Sequence, residues 1–236
     1  MGKFLGLQLV VAVGLGVQTL GACSRADDRW TANFPLAMEK NDLVATGRNP
    51  YFILEPGYVL VLEGGGAQLT ITVLDETKTI DGVETRVVVE RETRGGALVE
   101  VSRNYFAMSK RTNDVFYFGE DVDLYKDGAV VSHEGAWLSG VNGAKFGLMM
   151  PGQVSLNARY YQETAPGVAM DRTEIVSTSA TVKTPAGEFK NCVKVKETSP
   201  LAPFITDYKY YAPGIGMVQD GKLRLVTFGK ADAPKP

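Results

Sequence analysis

Residues 77–90, TKTIDGVETRVVVE, place Asp81-Gly82 between two runs rich in Thr, Ile and Val. The tightest β-hairpin turns need positive φ at both central residues, which Asp and Gly tolerate, and β-branched neighbours suit a pleated surface. The stretch therefore reads as a hairpin. The same dipeptide recurs at 127–128 in DLYKDGAVVSH and at 220–221 in GMVQDGKLRLVTF, so three hairpins of one kind are expected.

Around them, QLTITVLDE (68–76), ALVEVSRNYFAMSK (97–110), VFYFGED (115–121), SLNARYYQET (155–164) and EIVSTSATVKT (174–184) mostly alternate apolar with polar residues. A period of two predicts one buried face and one wet face. No segment sustains helical spacing, and 26 glycines and 11 prolines interrupt the chain too often for long helices. The sequence thus predicts an all-β, mainly antiparallel domain of roughly ten to thirteen strands. These would form a single large sheet, curved or folded over into an open barrel-like domain with very little helix. The one helix candidate is short, in PLAMEKNDLVATG (35–47), and the glycine-rich EGGGAQLT (63–70) reads as a turn.

The N-terminus supplies an address. Lys3 precedes an apolar run from Phe4 to Val17 that is broken by glycines and Gln8, the pattern of an export signal. A membrane-spanning helix needs roughly 20 apolar residues, more than this run supplies. Leu20-Gly21-Ala22-Cys23 resembles the lipobox of bacterial lipoproteins, in which the cysteine is diacylated and becomes the mature N-terminus. That resemblance implies an exported protein held on a membrane by lipid at Cys23, since several acyl chains anchor stably where one does not. Ser24 is compatible with the outer membrane if the cell has two membranes. The chain divides accordingly into a signal peptide (1–22), a tether and packing segment (23–50), a single β-rich domain (51–229) and a disordered tail (230–236).

Composition narrows the function. The formal net charge is −2, with basic and acidic residues interspersed, so no basic stripe for nucleic acid exists. Of the two cysteines, Cys192 has no intramolecular partner once Cys23 is lipidated and reads as a small apolar filler in a strand. His133 is the sole histidine; adjacent strand residues point oppositely, so Ser132 and His133 form no nucleophile–base pair. Glu134, Glu163, Asp171, Glu174 and Glu197 are candidate carboxylates for glycosidase chemistry, which needs two facing each other across a cleft. Sequence spacing singles none of them out.

Two further groups are candidate sites. Glu120, Asp121 and Asp123, with Asp127 beyond, could supply oxygens to Ca2+ or stand as solvated charges at a hairpin end. GAWLSGVNGAKFGLMMPGQ (135–153) reads as a long loop closing one end of the sheet, with Trp137, Phe146, Met149 and Met150 as its own small core. The sharper alternative is a mobile apolar flap over a ligand cavity. The doublets Tyr105-Phe106, Tyr160-Tyr161 and Tyr210-Tyr211 and the run Phe116-Tyr117-Phe118 put alternate rings inward and suggest cross-strand aromatic pairs.

VFYFGEDVDLYKDGAVVSHEGAW, GVNGAKFGLMMPG, ARYYQE, TPAGEFKNCVKVKETSPL and DYKYYAPGIGMV resemble an ordered set of segments in uncharacterised exported bacterial β-rich lipoproteins. The last also resembles the closing strands of curved-sheet envelope proteins. The resemblance implies export and a β fold, and it carries over no catalytic residue. The resulting expectation is a membrane-anchored, non-enzymatic module that binds an apolar ligand or an envelope partner. A structural subunit of a surface assembly, a calcium-binding β-protein and a hydrolase of unrecognised type are the alternatives.

Overall fold

A computed structural model describes residues 30–34 and 40–230. The signal peptide and Cys23 lie outside the described residues, as does most of the tail. The helix expected at 35–47 does not form within residues 40–47. Lys40–Asp42 makes one 3-10 turn and the chain then enters strands β1 (Leu43–Val44), β2 (Arg48–Asn49) and β3 (Phe52–Ile53). Three residues make too little helix to outlast the strand pairing that follows.

The wall of the molecule is antiparallel. It runs through β4 (Tyr58–Gly64), β5 (Ala67–Ile80), β6 (Val83–Arg94), β7 (Ala97–Ser109) and β8 (Val115–Lys126). The short β9 (Ala129–Ser132) and β10 (Trp137–Leu138) lie against β8. Next come β11 (Lys145–Met150), β12 (Arg159–Tyr161), β13 (Glu163–Thr164) and β14 (Arg172–Thr184). The chain ends in β15 (Gly187–Ser199), β16 (Ala202–Ala212), β17 (Gly216–Asp220) and β18 (Leu223–Lys230). The strands join in the order β12-β14-β15-β16-β17-β18-β4-β5-β6-β7-β8-β11-β13. The two ends of that path, β12 and β13, are separated along the chain by Gln162 alone, so the sheet curls into a nearly closed barrel whose seam is spanned by residues 159–164.

Turn chemistry explains the hairpins. Asp81-Gly82 and Asp127-Gly128 carry positive φ at both positions, as do Gly65-Gly66 and Gly95-Gly96, matching type I′ turns. The third Asp-Gly pair behaves differently from expectation: Asp220 pairs with Leu223 in the ladder and the turn falls on Gly221-Lys222, with Gly221 at φ 52. Glycine takes the first turn position there, which leaves Asp220 as a strand residue with a buried side chain.

One expected wet face is buried. Val88, Phe106 and Val115 belong to the main core inside the barrel, whereas Val87, Tyr105, Phe116 and Phe118 form a second core on the outer side of β6–β8. Phe146 stacks on Phe118 at 4.7 Å between centroids, and Phe34 meets Phe116 edge-on at 5.7 Å. The uninterrupted Val87-Val88-Val89 run is the local mark of a strand covered on both faces.

Residues 135–153 are not one continuous loop, since 137–138 and 145–150 are strand. Residues 145–150 pair with β8 and β13 and are part of the wall, because that is where their backbone groups find partners. The four expected site residues do not form one core. Trp137 packs with Ala144, Ala165 and Ala169, Phe146 joins the outer core, Met150 the main core, and Met149 faces the lumen. Gly147 permits the closure, since a Cβ there would lie 2.5 Å from the carbonyl oxygen of Gln162 on the seam.

Candidate functional site

The lumen holds a cavity of about 90 Å3 accessible to the centres of water molecules, room for several waters. Its walls divide chemically. Leu60, Ile71, Val73, Val88, Ile215 and Met217 make an apolar region, bordered by Phe52 of the β2–β3 hairpin. Asn49 of that hairpin is buried and donates to the carbonyls of Asn113 (2.8 Å) and Pro151 (3.0 Å), fixing the hairpin to the β7–β8 turn and the end of β11.

The other region is polar. Glu90, Glu120, Glu163, Asp171, Glu197 and Asp220 face the same cavity as a single cation, Lys209. Lys209 Nζ donates to Glu197 Oε2 at 2.7 Å, and Gln162 Nε2 donates to Glu197 Oε1 at 3.1 Å. Both members of the ion pair are buried, at 10% and 8% side-chain exposure. Burial works against the Lys209 charge, but Glu197 and Asp220 outweigh it and hold the ammonium well above its usual range. Glu163 Oε1 accepts from the Asp171 backbone N–H at 2.6 Å.

Burial, reinforced by the charges of Asp171 and Glu120, pushes the Glu163 carboxyl well above the usual carboxylate range. Burial and Glu197 push Asp171 up to about 6. Tyr117 stacks on its cross-strand partner Phe106 at 4.8 Å between centroids and donates to Asn104 Oδ1 at 2.7 Å. Burial and the nearby Glu120 raise its hydroxyl well above its ordinary value.

Three of the five candidate carboxylates from the sequence therefore meet: Glu163, Asp171 and Glu197. Glu174 pairs with Arg159 at 2.6 Å instead, and Glu134 is exposed. Sequence reading missed Glu90, Asp220 and Lys209. Their signal was available only as charges in phase with inward apolar residues, such as Val88 with Glu90 and Tyr211 with Lys209.

The candidate calcium ligands separate. Glu120 faces the lumen, while Asp121 sits on the outer side with Lys78 (3.0 Å) and the Tyr105 hydroxyl (2.5 Å). Asp123 is held by Arg103 (3.2 Å) and His133 Nδ1 (3.0 Å). Among the described residues, no group of three or more His, Cys, Asp or Glu side chains is placed to hold a metal ion. His133 Nδ1 also lies 2.8 Å from the Val122 carbonyl, while Ser132 Oγ accepts from the Glu134 N–H, so the two are not a catalytic pair. Among the described residues no helix is long and apolar enough to cross a membrane.

No family model, no curated protein and no solved structure matches the chain.

Proposed function

We propose that this chain is an exported, lipid-anchored binding protein that holds a small, partly apolar ligand inside its barrel. The supporting observation is the two-sided lumen, which offers an apolar wall for a hydrocarbon body and a few convergent polar groups for orientation, the usual make-up of small-molecule sites. The lipobox-like Leu20-Gly21-Ala22-Cys23 supports the anchor. Native mass spectrometry of protein purified without its acyl chains tests the binding. A co-purifying small molecule that Ile71→Trp or Met217→Trp expels is the expected result, and a clean apo mass that persists on exposure to lipid extract overturns it. Intact mass of the membrane-extracted protein tests the anchor: acyl mass on Cys23 is expected, and a mature start elsewhere overturns it.

A second reading, acid–base hydrolysis, is favoured by Glu163 and Asp171. Two neighbouring buried carboxyls, both pushed upward, are the groups that such chemistry uses as acid and base. Turnover of a chromogenic glycoside, lost in both Glu163→Gln and Asp171→Asn, would favour it over simple binding.

A further inference from the structure

Resting on the ligand-binding reading, we infer that the lumen selects a ligand with a cationic nitrogen, an alkylammonium-like head seated among Glu120, Glu163 and Asp171 with its hydrocarbon body on the apolar wall. The charge balance of the lumen carries the first part of the argument. Six carboxyl side chains face one protein cation, and that cation is already committed to Glu197 at 2.7 Å. Glu120 and Asp171 each act electrostatically on Glu163, so the three sit close enough to repel one another when ionised.

A second observation is independent of the carboxylates. Tyr211 is buried and lines the lumen. The Tyr160 hydroxyl, also buried, has no hydrogen-bond partner among the described residues. The two hydroxyls interact electrostatically with each other and with Glu197. Buried hydroxyls ordinarily find partners, and a donor-rich head entering from the lumen would supply one. Phe106 and Tyr117, stacked on each other, also line the same space. The apolar wall of Ile71, Val73, Val88 and Met217 accepts the chain that follows.

An anionic head would meet the same six carboxyls and be repelled, and a neutral head would gain hydrogen bonds without the charge. Binding an ammonium also has a proton signature. Burial and the neighbouring carboxylates favour the protonated form of Glu163; an ammonium beside it favours the carboxylate, so on binding the carboxyl O–H bond breaks, the electron pair stays on oxygen and the proton leaves to buffer. Tyr58 from β4, Glu90 from β6, Tyr117 and Glu120 from β8, Asp171 before β14, and Glu197, Lys209, Tyr211 and Asp220 from β15–β17 are the titratable groups that line the cavity with this one.

The test is calorimetric titration of the purified protein in detergent-free buffer with hexylammonium, hexan-1-ol and hexanoate, in two buffers of different ionisation enthalpy at neutral pH. Hexylammonium is expected to bind at least about tenfold more tightly than hexan-1-ol, with hexanoate weakest and proton release seen for the amine alone. Glu163→Gln should abolish the proton release and the preference for the amine, and Tyr211→Phe should weaken the amine about threefold to tenfold while the alcohol is unaffected. If the alcohol binds as well as the amine, or hexanoate binds best, the head-group inference is overturned while the ligand-binding reading stands. If none of the three binds, both fall. Should Glu163→Gln not fold, the buffer comparison on the unaltered protein decides alone.

Discussion

The Lys209 ammonium and the Glu197 carboxylate face each other across neighbouring strands, 2.7 Å apart and almost wholly shielded from solvent by the barrel wall. Glu197 also accepts from Gln162 on the seam, so the pair ties β15 and β16 to the segment that closes the barrel. Removing one member of a buried pair strands the other charge, at a cost of about 3–5 kcal/mol, whereas replacing both by apolar groups of similar volume is often neutral. Lys209→Met should therefore lower stability by that order in urea denaturation, and Lys209→Met combined with Glu197→Leu should recover much of it. A single variant as stable as the parent would show that the pair is not buried.

The acid limb of the stability curve should be inverted over part of its range. Asp171 titrates at 3.8 unperturbed and is pushed up to about 6 by burial and Glu197. Between those values the folded chain keeps a proton that the unfolded chain has released, so stability is full below 3.8 and is lost as pH rises to about 6. Glu163, also raised by burial, acts in the same sense. Glu55, held low by Arg48, works in the opposite sense and loses its contribution on acidification. Melting temperature is expected to fall across the Asp171 window and to flatten there in Asp171→Asn. A rise with pH that this variant leaves unchanged would refute the assignment.

Gly147→Ala should open the seam. A Cβ at Gly147 would press on the backbone oxygens of Tyr161 and Gln162, which cannot swing aside as a flexible side chain does. Overpacking of this kind costs about 1–3 kcal/mol. Gly95→Asn is the control. At φ 54 with nothing within 4 Å of its Cβ, it accepts the residue that best tolerates this backbone region and should stay within about 0.5 kcal/mol of the parent.

Arg86 clamps an irregularity in β5. The β5–β6 register shifts between Val73 and Thr77, and the buried Arg86 reaches the shifted segment through the Leu74 and Glu76 carbonyls and Asp75 Oδ1. Its Nε donates to the Ala45 carbonyl at 2.8 Å, joining the segment after β1 to the barrel. Arg86→Met keeps most of the volume and loses these charge-assisted bonds, each worth about 1.5–3 kcal/mol. Faster amide exchange at residues 45 and 74–77 is the expected readout, against unchanged exchange at the β14–β15 hairpin.

The local half of the fold was legible in the chain. Asp81-Gly82 and Asp127-Gly128 specify their turns because positive φ is a property of two residues, and alternation marked the strands because the pleat repeats every two. Asp220-Gly221 misled because Gly221 alone satisfies the turn, which freed Asp220 for the lumen. The GAWLSGVNGAKFGLMMPGQ stretch misled because glycines that look like flexibility serve close approach: at Gly147 and Gly152 a Cβ would strike the backbone of a neighbouring segment.

By itself, then, the amino-acid sequence determined strand identity, antiparallel hairpins and a domain of curved sheet, since each depends on residues within a few positions of one another. Only the tertiary structure decided that the sheet meets itself across Gln162, that β6–β8 are covered on both sides, and that Glu120, Glu163, Asp171 and Glu197 share one cavity with Lys209. Those carboxyls lie up to a third of the chain apart, and their shared burial, which shifts the titration of Glu163 and Asp171, comes from closing a sheet around them rather than from any spacing along the polypeptide.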